Sequence, residues 1–160
     1  MLWCSARSSR EESSKQRCAL QDFSHIRVSL IKGKSGWRVG STEALGNAFL
    51  QAQTKSERSL IHFVVTQLRR YVHGEVQLEP VYEDVFELIT QSKLFLDTRV
   101  VAQRIFLIRL LSLLGYVAPH PLWLPVVTAP SMKVATELYT ESMELPIETA
   151  IAGGADASQL

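Results

Sequence analysis

The chain has 160 residues, 46% of them hydrophobic and 21% charged, which suits one globular domain or two small ones. Its net charge of +1 singles out no class of partner. No stretch reaches the ~18 uninterrupted apolar residues of a membrane span, and two cysteines, Cys4 and Cys18, exclude a four-thiolate zinc site. The polar run that begins soon after Met1 leaves no apolar core of signal-peptide length. A soluble, reduced, cytoplasmic protein is the expectation. The small net charge hides an asymmetry. Residues 1–40 hold eight Lys/Arg against three acids, and the remaining 120 hold nine against thirteen. A basic end on a near-neutral chain points to a polyanion contact at that end.

Residues 1–6 suit the tail of a strand, and 8–21 are polar and helix-compatible, with Ser8 or Ser9 as cap and Glu11 and Glu12 in the first turn. Residues 20–39 carry the plainest local pattern. Ile26, Val28 and Leu30 alternate with His25, Arg27 and Ser29, as in a strand with one buried face. Lys32-Gly33-Lys34-Ser35-Gly36 follows as a glycine-bearing turn, and Trp37, Arg38 and Val39 resume the alternation. This predicts a β-hairpin with a basic tip and an aromatic beside it. Bases stack on such a ring while cations hold phosphates. The same residues also suit a solvated turn with Trp37 in a core. Ser41 or Thr42 is placed to cap a short helix over 43–49.

Residues 51–57 read as a polar joint between two parts. Beyond it, Leu60, Ile61, Val64, Val65, Leu68, Tyr71 and Val72 recur at helical steps and predict a helix over 58–73, closed by Gly74. Pro80 opens a second helix, which carries Val81, Val85, Leu88 and Ile89 to about Ser92. Asp97 or Thr98 caps a third over 99–114, apolar on most sides and therefore central, closed by Gly115. A last amphipathic segment spans 131–144. Pro146 ends it, and 146–160 is expected to be a disordered tail.

No catalytic motif survives inspection. Gly33-Lys34-Ser35 resembles the end of a phosphate-binding loop, but Val28 stands where its first glycine belongs and no helix follows. His25, His62, His73 and His120 have no paired spacing. Glu83, Asp84 and Glu87 form an acidic run on a helix, which suits a solvated face. Cys18 lies near Lys15 and Arg17, which favour a thiolate, although a small packing residue fits it better. A non-enzymatic protein without cofactor or metal is the expectation. What remains is a set of cations: Arg7, Arg10, Lys15 and Arg17 in one segment, and Arg27, Lys32, Lys34 and Arg38 on or beside the hairpin. Folded onto one side, they would form a groove that tracks a sugar-phosphate backbone without reading sequence.

SSKQRCALQDF at 13–23, VSLIKGKSGWR at 28–38 and RLLSLLGY at 109–116 together resemble the bacterial RecO family of recombination mediators. In that family a basic S-K-x-R…A-L-Q-x-F stretch leads into the last strands of an N-terminal OB-fold, and a helical domain ends in R-L-L-x-x-L-G-Y. The similarity runs over about residues 2–119. It implies an α+β chain: a partial OB-fold-like nucleic-acid-binding part over 1–50, entered near the third of five strands, and a helical domain over 51–145. Many members carry a four-cysteine zinc site after L-G-Y, but 118–125 holds no cysteine, so no zinc is expected.

The resemblance further implies binding to single- and double-stranded DNA, strand annealing, and association with RecR and single-stranded-DNA-binding protein to help RecA load, in the bacterial cytoplasm at the nucleoid. The DNA contacts it implies are Arg7, Arg10, Lys15, Arg17, Arg27, Lys32, Lys34 and Arg38, with Trp37 as the stacking residue. The rival reading is a helical protein-interaction module whose apolar groove is lined by Leu110, Leu113 and Tyr116.

Overall fold

The computed structural model describes residues 4–6, 16–34, 36–74 and 77–158. The architecture is α+β, with a three-stranded mixed sheet followed by helices. The strands are β1 (Cys4–Ser5), β2 (Ser24–Gly33) and β3 (Gly36–Asn47), in the order β1-β3-β2. β1 runs parallel to β3, and β2 antiparallel to it. The predicted hairpin forms: Lys32 stands opposite Trp37 and Gly33 opposite Gly36, with Gly36 at a φ of 108°. The register shifts between Val28 and Leu30, where Ser29 Oγ accepts the Ser41 N–H at 2.7 Å. A Cβ on Gly40 would lie 2.7 Å from Ser29 Oγ, so a larger residue there would displace that hydroxyl from the Ser41 N–H.

Two expectations for this region are corrected. Residues 43–47, expected to be helical, extend β3, because Glu43 and Ala44 are held opposite Arg27 and Ile26. Cross-strand pairing overrides a weak helical pattern. The helix shrinks to a single turn, α1 (Ala48–Gln51), and its cap is Asn47, whose side chain accepts the Leu50 N–H. The buried strand face is also absent, for neither β2 nor β3 holds a buried residue. Val28 is 37% exposed. Among the described residues, the helices meet the sheet at its base. There the Phe23 ring stacks on Phe49 at 5.0 Å beside a small core of Ala48, Ala52 and Ile61.

The joint at 51–57 is a built structure. Thr54 caps α2 (Lys55–Tyr71) by accepting the Glu57 N–H, and the Glu57 carboxylate accepts the Thr54 hydroxyl and the Gln53 N–H. The cap starts the helix at Lys55, three residues before the expected start at 58. Gly74 adopts a φ of 73° after it. α3 (Glu79–Thr90) has Pro80 in its first turn, as expected. A 3₁₀ turn (Ser92–Phe95) leads to α4 (Arg99–Leu113), in which Ala102, Ile105, Phe106, Ile108, Leu110 and Leu111 are fully buried. α4 is therefore the central helix, as its all-round apolarity predicts. α5 (Leu124–Val127), α6 (Met132–Leu138) and a 3₁₀ turn (Glu141–Met143) follow.

The expected disordered tail is instead a helix, α7 (Glu144–Ala157). Pro146 falls in its first turn, where an N–H has no intrahelical acceptor to lose. Ile147 is fully buried, and α7 packs along α4. Arg104 on α4 pairs with Glu144 at 2.7 Å and also with Glu148. The small residues that resemble a flexible tail permit this docking. Gly154 approaches so closely that a Cβ would lie 2.7 Å from Val117 Cγ2.

The acidic run on α3 is likewise no solvated face. Asp84 is 3% exposed and takes both a 2.7 Å bond from Arg109 Nε and a 3.0 Å bond from Arg109 Nη2. Arg109 Nη1 donates to the carbonyls of Val126 and Ala129. Glu87 accepts the Met132 and Lys133 N–H groups at the start of α6. Acids of α3 thus tie it to α4 and α6.

Candidate nucleic-acid interface

The hairpin sets the positions of the expected DNA-contacting residues. Arg7, Arg10 and Lys15 lie outside the described residues. Arg17 is exposed in a turn tied to the sheet by Gln16 Nε2, which donates to the Gly40 carbonyl. Lys32 and Trp37 are cross-strand partners on one face, with Lys32 Nζ 5.3 Å from the ring centroid. Lys34 is exposed at the tip. Arg38 is one residue out of phase with Trp37 and therefore lies on the opposite face. A Cβ on Gly33 would come within 3.5 Å of its Nε. Arg27 shares that opposite face and pairs with Glu43 at 2.6 Å.

The described cations therefore do not share one groove. Lys32, Lys34 and Arg38 gather at the tip from both faces, and Arg27 is balanced by an acid. Period-two alternation dictates the split, since residues 31 and 32 cannot point the same way. The tip still combines a cation held over an indole with two further cations, groups whose chemistry suits a phosphate and the face of a base. Trp37 is half-buried, between the two readings the sequence left open.

The sequence reading missed two features. Glu43, assigned to a helix, neutralises Arg27. At the foot of the hairpin, His25 meets Phe86 edge-to-face at 5.7 Å, and Phe86 stacks with Tyr82 at 6.2 Å. The signal was available: Tyr82 and Phe86 stand one helical turn apart, and both fall outside the Val81, Val85, Leu88, Ile89 stripe.

The expected interaction groove is not formed as drawn, since Leu110 is fully buried in the main core while Leu113 is 46% exposed. Cys18, expected to pack, is exposed, and its neighbour Ala19 is buried instead. Among the described residues no group of three or more His, Cys, Asp or Glu is placed to hold a metal ion, and no helix is long and apolar enough to cross a membrane.

No family model, curated protein or solved structure matches the chain.

Proposed function

We propose that this chain is a non-enzymatic, DNA-binding recombination mediator of the RecO type. In this reading it binds single- and double-stranded DNA, anneals strands, and works with RecR and single-stranded-DNA-binding protein to help RecA load. It would act in the bacterial cytoplasm at the nucleoid. The observation that carries the reading is the hairpin tip, where Lys32 lies over Trp37, with Lys34 at the turn and Arg38 on the other face. The similarity of 13–23, 28–38 and 109–116 to RecO proteins adds direction to it. The three strands would supply part of a five-stranded barrel.

The test is fluorescence anisotropy of a labelled single-stranded oligonucleotide titrated with the chain at several salt concentrations. Binding that is similar for unrelated sequences and falls steeply with salt is the expected result. No binding at low salt by a chain that circular dichroism shows to be folded would overturn it.

A helical protein-interaction module is the second reading. The observation that favours it is a cleft of about 280 Å³ to which the exposed Leu113 and Leu124 contribute. It predicts partner capture without DNA binding.

A further inference from the structure

A cleft of about 700 Å³ opens at the foot of the hairpin, between the start of β2, α1 and α3. Phe23, His25, Tyr82 and Phe86 all line it. Tyr82 is 58% exposed and Phe86 39%. Single exposed rings are ordinary, but His25, Phe86 and Tyr82, each touching the next around one concavity, form a platform. Gln51, Gln91 and Lys93 stand among the same lining residues, and their amide and ammonium groups can meet a polar edge. The acid among them, Glu57, is 2% exposed, and its oxygens are committed to capping α2.

His25 belongs to β2, which reaches the tip about 23 Å further along at the usual strand rise. By alternation His25 shares its face with Arg27 and Arg38, while Lys32 and Trp37 take the other. One continuous element thus joins the aromatic cleft to the cationic tip. We infer that the cleft receives an unstacked nucleobase of a single-stranded nucleic acid whose backbone follows β2 to the tip. This rests on the DNA-binding reading and deepens it. A nucleobase has the required form, with flat faces for the rings and a polar rim for the glutamines. A base paired and stacked within a duplex cannot enter, so the cleft favours single strands.

The test compares the wild-type chain with Tyr82→Ala/Phe86→Ala on single-stranded and duplex oligonucleotides at several salt concentrations. The expected result is a loss of about tenfold or more in single-strand affinity, with duplex affinity and salt slope unchanged, because stacking releases no counterions. Tyr82→Leu/Phe86→Leu keeps the apolar bulk without the rings and should show the same loss. If either folded variant binds single strands as tightly as the wild type, the cleft holds no base, while the hairpin reading stands. If the wild type binds no single strand at low salt, the DNA-binding reading fails and takes this inference with it. A dimer of the wild-type chain that the same substitutions dissociate would assign the cleft to a second copy and overturn the inference.

Discussion

Arg27 and Lys32 carry the same charge on the same strand, yet they are not equivalent. Arg27 faces Glu43 in an exposed pair, whereas Lys32 rests over a ring. Lys32→Glu/Lys34→Glu should weaken single-strand binding at every sequence and make the salt slope shallower, by up to about two for two lost phosphate contacts. Glu43→Gln should do the opposite, since it frees Arg27 for phosphate: tighter binding and a steeper slope in the same titration. An unchanged slope in both variants would remove the hairpin from the interface. Asp84 and Arg109 pose a different residue-scale problem. Burial raises the Asp84 carboxyl, while the hydrogen bond and charge of Arg109 pull it back. A carboxyl raised in the folded state binds its proton there at higher pH than in the unfolded chain. Its ionisation therefore opposes folding at neutral pH, and the opposition eases as pH falls through the folded value, so Asp84 is no source of acid lability. Asp84→Leu would leave a buried guanidinium without either counter-charge or acceptor, at a cost of about 3–5 kcal/mol. Asp84→Leu/Arg109→Leu should be destabilised by less than the two single changes added together, as urea denaturation of the four proteins of the cycle would show.

At the scale of elements, α7 gives the sharpest contrast. Gly153 and Gly154 are adjacent in one helix, but a Cβ at Gly153 meets nothing within 4 Å, while one at Gly154 meets Val117, Tyr116 and Leu111. Gly153→Ala should stabilise the protein by about 0.5–1 kcal/mol through helix propensity. Gly154→Ala should destabilise it by about 1–3 kcal/mol through overpacking. Equal midpoints in thermal melts of the two variants would mean that α7 is not docked against α4. The same helix shows where sequence reading stops. Apolar periodicity located α2 and α3, and all-round apolarity α4, because large side chains such as Leu60, Leu88 and Ile105 mark the buried sides. α7 docks through the smallness of its residues, and smallness also marks flexible tails. The hairpin was legible from alternation and glycine. The end of β3 was not, because its extension depends on a partner strand 16 residues away, as Arg27 and Glu43 show. The cation set was legible as composition, but its division between two faces needed the register.

On the scale of the molecule, the charge surplus and the packing fall at opposite ends. The main core gathers α2, α3, α5, α6 and α7 around α4, whereas the basic hairpin projects from that body on a contact of a few residues around Phe23. Phe23 itself adopts a φ of 63°, a left-handed conformation that costs a bulky residue about 1–2 kcal/mol and persists only while the ring is held. Phe23→Ala should therefore weaken the sheet's attachment while leaving the helical core intact. The near-ultraviolet signal of Trp37 would change, and the far-ultraviolet helical signal would not.

The bareness of the sheet has a kinetic side. With no buried residue in β2 or β3, the backbone amides of the hairpin are guarded by cross-strand bonds alone, so they should trade their protons with solvent deuterium long before those of α4. Amide exchange would then divide the chain into a fast N-terminal unit and a slow helical one. A ligand lying along β2 would slow the first unit without touching the second, so the same experiment would map its footprint strand by strand.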